Sequence, residues 1–141
     1  YTQKIVECDL QIEVATKALE TKCDPEKVKQ FKKNIQKPKK QKKHEYHFNL
    51  TSELVRLTGI DLTKIPAIGA STALTIVSEI GLDMSRWKTA KHFASWLGLC
   101  PGNKISGGKR LSGKSKPCAN RVAIALRIAA NTLYQSQCAF G

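Results

Sequence analysis

The chain has 141 residues, with 24 Lys and Arg against 11 Asp and Glu, a net charge of +13 and a pI near 9.7. That length allows one compact core, or a smaller core with an extended arm, and the charge favours a polyanionic partner, because releasing counterions from phosphates drives binding. No run of about 18 apolar residues exists to span a membrane, and five cysteines (Cys8, Cys23, Cys100, Cys118, Cys138) without a C-x-x-C pair suit reduced thiols rather than a disulfide framework or a zinc site.

Taken in order, residues 1–23 carry Ile5, Cys8, Ile12, Ala15 and Leu19 at a/d spacing, which predicts a helix that pairs with another helix as a coiled coil. Lys4, Glu7 and Asp9 interrupt any signal-peptide core, and the helical pattern already under way at Tyr1 leads us to expect an upstream portion. Asp24-Pro25-Glu26 is a helix-start signature, and Val28, Phe31 and Ile35 share one side of the segment that follows. From Lys27 to Lys43 there are nine lysines and no acid, so residues 24–45 read as an exposed basic arm. Such an arm is either a solvated linker or a sequence-independent contact with DNA or RNA phosphates. His44 and His47 have no carboxylate or cysteine pair at ligand spacing; no metal site is expected in this chain.

Residues 46–141 read as a compact helical domain. Leu50, Leu54 and Leu57 lie on one helix face, with Gly59 as its C-cap. Residues 61–81 place apolar, helical sequence on both sides of a tight turn, Pro66 to Gly69, in the manner of a helix-hairpin-helix motif. There the amides of Ile68, Gly69 and Ala70 would approach a DNA phosphate. Ala67 stands where that motif usually has its first glycine; the bland alternative is an αα-hairpin that serves only the core. Thr89 is a predicted N-cap for a helix to Leu97 with Phe93, Trp96 and Leu97 inward, and both Trp87 and Trp96 read as core. Val122, Leu126, Ala129 and Leu133 define the buried face of a terminal helix over 117–137. The predicted fold is mainly α: an N-terminal coiled-coil helix plus a compact helical domain.

Residues 100–116, between two predicted helices, hold four glycines, three serines and Lys104, Lys109, Arg110, Lys114 and Lys116, with no carboxylate. Such a loop offers backbone N–H and positive charge to a phosphate. Gly108 to Ser115 satisfies the P-loop pattern letter for letter. A P-loop, however, follows a buried strand and opens a helix, whereas Asn103 to Gly107 does not read as a strand, and no acid follows Ser115 to hold Mg²⁺. Nucleotide hydrolysis is therefore excluded. Ser106 is the candidate nucleophile: Gly107 and Gly108 would admit a phosphodiester, while Lys104, Lys109 and Arg110 would neutralise it. No base for Ser106 is apparent, since His92 is the last histidine and no Asp or Glu follows Asp83. The residues alone leave open a simple phosphate-binding loop in a non-enzymatic helix-hairpin-helix module for DNA or RNA.

The run Leu62 to Gly81, then Asp83-Met84-Ser85-Arg86-Trp87, then His92 to Lys109 with its Gly98-Leu99-Cys100-Pro101 to Ser106-Gly107-Gly108 spacing, resembles the C-terminal domain of the DEDD-type insertion-sequence transposases. These are the bridge-RNA-guided serine recombinases of bacteria and archaea. The likeness covers about residues 45–140, and Glu7 to Glu13 is similar to the coiled coil preceding that domain in the family. The resemblance implies DNA transposition with Ser106 forming a transient phosphoserine link. It implies contacts to element and target DNA through Lys104, Gly107, Gly108, Lys109, Arg110, Lys114, Lys116, Ile68, Gly69 and Ala70. It further implies a guide RNA, a homo-oligomer through the coiled coil, no membrane, and a cytoplasmic, nucleoid-associated location. Mg²⁺ would be held by four acids of an upstream RuvC-like domain, without which this chain would not be catalytically competent. One departure is Cys118-Ala119, where many members have Gly-Asn.

Overall fold

A computed structural model describes residues 2–23, 46–115 and 117–137, together with Glu26 and Val28. The predicted basic arm, the helix start at Asp24-Pro25, and Phe31, Ile35, His44, Lys116 and Cys138 lie outside the described residues. The fold is mainly α, with five α-helices and one two-stranded sheet among the described residues. The chain forms two compact units, Tyr1–Ile65 and Pro66–Gly141.

In the first unit α1 (Thr2–Ala18) packs against α2 (Leu50–Thr58). Asn49 caps α2 by accepting from the Ser52 N–H at 3.1 Å, and Gly59 ends it in the left-handed region, its N–H on the Val55 carbonyl at 2.8 Å. Leu50, Leu54, Val55 and Leu57 are buried, so the predicted apolar face is the core face.

α1 does not bury its a/d stripe. Asp9 and Thr16 are buried, while Ile5 is 57% and Leu19 47% exposed. Polar anchors choose this face: an Asp9 carboxylate oxygen takes the backbone N–H of His47 at 3.4 Å, and Arg56 reaches the end of the helix. The Arg56 guanidinium donates to the Thr16 carbonyl at 2.7 Å and the Leu19 carbonyl at 3.2 Å, and to the Thr21 hydroxyl at 2.6 Å. Its Nε lies 2.8 Å from Glu53. Orphan carbonyls at a helix C-terminus are thereby satisfied by a cation, which also suits the helix dipole.

The second unit is built on α3 (Ala70–Ile80), α4 (Ala90–Trp96) and α5 (Arg121–Tyr134), with α3 packed against α5. Ile80, Leu97, Val122 and Ala123 form its buried centre, and Ile76, Trp87, Phe93, Leu99, Cys118 and Leu126 pack around them. Thr89 caps α4 through the His92 N–H, and Asn120 caps α5 through the Val122 N–H at 2.8 Å. The terminal helix thus begins at Arg121 instead of Pro117, at the point where the Asn120 side chain supplies the N-cap acceptor. Trp96 departs from the expected inward position: it is 46% exposed, because the adjacent Leu97 takes the fully buried place at the end of α4. Among the described residues Cys8, Cys23, Cys100 and Cys118 are free thiols, and no helix is long and apolar enough to cross a membrane.

Candidate functional site

The basic stretch between α4 and α5 is a β-hairpin. β1 (Lys104–Ser106) and β2 (Lys109–Ser112) run antiparallel, with Ser106 opposite Lys109, Ile105 opposite Arg110 and Lys104 opposite Ser112. The register shift between the last two pairs leaves Leu111 as an extra residue, a β-bulge. Below the strands the Gly102 N–H donates to the Lys114 carbonyl at 3.0 Å, and Pro101 bridges Ser115. Gly107 (φ 57°) and Gly108 (φ 76°) close the tip. A two-residue hairpin turn that matches strand twist needs positive φ at both central positions, and glycine adopts it without strain.

Register fixes which side chains share a face. Ser106 and Lys109 are cross-strand partners on one face; Ile105 and Arg110 are partners on the other. The Arg110 guanidinium folds against Gly113, where a β-carbon would run into its Nη2, Cζ and Nε. The expected cations therefore divide: Lys109 stands beside Ser106, whereas Arg110 belongs to the opposite side. Every residue of the two strands is exposed apart from the half-buried Ser112. Nothing occupies the space where β-carbons on Gly107 and Gly108 would point, so the tip is open to a ligand.

The hairpin also corrects one reason for setting the P-loop aside. Lys104–Ser106 is a strand after all, but an exposed antiparallel one that leads into a second strand. The helix opening that a P-loop needs is absent, so the nucleotide reading still fails. Ser115 lies at the base opposite Pro101 and Ser106 beside the tip.

Ile68, Gly69 and Ala70 lie on a separate element, the start of α3. Gly69 is its N-cap, with extended backbone and no side-chain hydrogen bond to the first-turn amides. Ala67 has φ 63°, the one positive φ among described non-glycine residues, at the position where the motif's glycine was expected. Ahead of this turn the first unit ends in a single 3₁₀ turn, Leu62–Lys64, started by the Asp61 carboxylate on the Thr63 N–H at 3.0 Å. The expected first helix of the hairpin is no longer than that.

From Met84 to Gly141 the chain carries ten Lys and Arg and no Asp or Glu, so no acid within it competes for the hairpin's cations. No three His, Cys, Asp or Glu come together to hold a metal ion among the described residues.

Comparison with protein families decides what this hairpin belongs to. The model described as Transposase IS116/IS110/IS902 family matches residues 61–139. The chain belongs to that family. Neither the curated proteins nor the solved structures give a match. The transposase span contains α3, α4, the hairpin and α5, and with them the expected DNA contacts at the start of α3 and in the hairpin, but not the basic arm over residues 24–45. Membership of a transposase family implies DNA as the partner.

Two features of the transposase domain escaped the sequence. The hairpin had a signal, Gly107-Gly108 between Lys104-Ile105-Ser106 and Lys109-Arg110-Leu111-Ser112, but strands of three and four residues are too short for alternation to stand out. Exposure of Trp96 had none, because its helical spacing is that of a core residue.

Proposed function

We propose that this domain carries the serine nucleophile of DNA transposition, and that Ser106 is that residue. The observation that supports the reading most is positional: Ser106 is exposed at the end of β1, directly before two glycines with no side chains to block a phosphodiester, and opposite Lys109. In the proposed step the Ser106 Oγ attacks phosphorus. An Oγ–P bond forms, the bond to the bridging oxygen of one DNA segment breaks, and that oxygen leaves as a hydroxyl. The serine proton passes to solvent, and solvent supplies the proton that the leaving oxygen takes up. Lys109 neutralises the non-bridging oxygens as charge builds on them. Attack by a hydroxyl of the second DNA segment then returns Ser106 to its free form and completes the exchange.

The remaining parts of the reading follow the DEDD-type, RNA-guided resemblance. Lys104, Gly107, Gly108, Lys114, Lys116 and the start of α3 (Ile68, Gly69, Ala70) hold the backbones of element and target DNA, and Arg110 contacts phosphate from the other face of the hairpin. The helix-hairpin-helix role is supported by the uncapped start of α3. The exposed Ile5 and Leu19 support pairing of α1 with a second copy as a coiled coil. A guide RNA selects the DNA, in the cytoplasm and on the nucleoid of a bacterium or archaeon. The hairpin has no carboxylate and does not fit Mg²⁺; the family resemblance assigns the ion to four acids of a RuvC-like domain, without which these 141 residues would bind DNA but not cut it.

The test uses the longer protein with its metal-binding domain and a labelled DNA substrate. Ser106→Ala is expected to abolish both strand transfer and the covalent protein–DNA adduct while DNA affinity stays near wild type. Recombination by the alanine variant would remove Ser106 from the role. DNA binding without any trapped adduct in the unsubstituted protein would favour the non-enzymatic binding module.

A further inference from the structure

Three aromatic rings meet in the second unit. The Trp87 ring centroid lies 5.1 Å from that of Phe93, edge to face, and 5.1 Å from that of Trp96. Phe93 and Trp96 are stacked at 6.4 Å with 21° between their planes. Trp87 and Phe93 continue into the core around Leu97 and Val122, so they are fixed by packing. Trp96 rests on these two and is 46% exposed. An exposed leucine needs no explanation, but an indole held rigidly at the surface forgoes burial that aromatic side chains usually find.

One cation adjoins the cluster at Trp87, and two more lie near it in sequence. Arg86 sits 5.4 Å over the Trp87 ring, Lys88 and Lys91 are exposed on either side of the α4 N-cap, and no acid follows Asp83. The Asp83 carboxylate is itself engaged, accepting the Ser85 N–H at 2.9 Å. An exposed aromatic side chain fixed by packing, with Arg and Lys nearby in the chain, is the arrangement with which proteins hold single-stranded nucleic acid, bases stacking on the ring while cations track the phosphates. Bases inside a duplex have no free face to offer; an unpaired one does.

We propose that Trp96 is a stacking platform for an unpaired nucleobase of a DNA strand, used when duplex is opened at the exchange site. This inference rests on DNA being the partner of the transposase domain but not on Ser106 being its nucleophile. Because Trp96 is uncharged, it supplies affinity without adding to the salt dependence that phosphate contacts create.

The experiment uses the 141-residue chain and fluorescence anisotropy over a range of salt. The probes are an oligothymidylate about 12 nucleotides long, a blunt duplex and an oligouridylate of equal length. Trp96→Ala is expected to weaken the oligothymidylate about tenfold, with the salt slope and the duplex affinity unchanged, and Trp96→Phe to retain most of the binding. In the unsubstituted protein, indole emission should be quenched by the oligothymidylate and not by the duplex, a readout that needs no variant. Trp96→Leu keeps an apolar side chain over Trp87 but removes the planar face, so it should bind like Trp96→Ala; circular dichroism confirms that each variant is folded. Retained single-strand affinity in Trp96→Leu, equal losses on duplex and single strand, or a loss confined to the oligouridylate would each overturn the assignment. Failure of all three probes to bind would instead overturn the reading of DNA as partner.

Discussion

Replacing Gly107 by valine tests whether the hairpin turn positions Ser106. Gly107 has φ 57° and Gly108 φ 76°. The left-handed region costs a non-glycine L-residue about 1–2 kcal/mol, and a β-branched one stands at the upper end or beyond. An isolated two-stranded hairpin is marginal in water, and here both strands expose nearly all of their side chains, so no core absorbs the strain. A shift of 1–2 kcal/mol changes the ratio of closed to open hairpin by about 5- to 30-fold. Gly107→Val should therefore open the hairpin while leaving the helical core intact. The assay is NMR: cross-strand contacts across Ser106–Lys109 and Ile105–Arg110, with amide exchange over residues 104–112, beside a thermal melt of the whole domain. Gly107→Asn is the control, because Asn tolerates positive φ and Asn-Gly is a favoured pair for this turn. It should keep the cross-strand contacts. The reasoning is refuted if the valine variant retains the Ser106–Lys109 pairing, or if its melting temperature falls as far as that of a core truncation such as Leu97→Ala.

Other substitutions separate binding from folding. Neutralising Lys109 and Arg110 together should weaken DNA binding and lower the magnitude of the salt slope by about 2, measured by titration at several salt concentrations, while an unchanged slope would take the hairpin out of the phosphate contacts. Arg56→Ala should destabilise the first unit by about 2–3 kcal/mol in denaturant unfolding, since it strips the Thr16 and Leu19 carbonyls and Glu53 of one shared cation; Arg56→Lys should recover little, lacking the fork. Ala67→Gly should stabilise the second unit by about 1 kcal/mol in thermal unfolding, because alanine is held at φ 63°. Asn120→Ala should cost about 1 kcal/mol on the same melt through loss of the α5 cap.

What the sequence made legible follows from which force sets each feature. Helix faces are set by burial, which writes a period into the chain: Leu50, Leu54 and Leu57 in α2, and Val122 and Ala129 in α5, were readable and are buried. Caps are set by single side chains, so Thr89 and Gly59 were readable as well. The face of α1 was not, because it is chosen by long-range polar contacts from His47 and Arg56, 38 and 40 residues away in sequence from Asp9 and Thr16. Nor was the hairpin, whose exposed strands carry almost no burial signal. The division of Lys109 from Arg110 follows from strand register alone, and an apparently structureless loop has none to read.

If Ser106 is the nucleophile proposed above, that division bears on how an exposed serine reaches the precision that displacement at phosphorus demands. Near-attack geometry must be held to fractions of an ångström, yet Ser106 is fixed only by its backbone in a strand of three residues. No described hydrogen bond orients its hydroxyl, and its cross-strand neighbour is a flexible lysine. The missing order has to come from the substrate. On the proposed reading, a phosphate seated over Gly107 and Gly108 and drawn toward Lys109 would tie both strands to one DNA segment, while Arg110 on the opposite face would engage another. Binding and hairpin formation then share one free energy, so strand-opening substitutions at Gly107 should lower DNA affinity and strand transfer together. Ser106→Ala, which leaves the turn intact, should lower strand transfer alone. Amide exchange over residues 104–112 should slow when DNA is added to the wild-type chain; equal exchange rates with and without saturating DNA would mean that the hairpin is ordered independently of its substrate, and that Ser106 is positioned by some other contact.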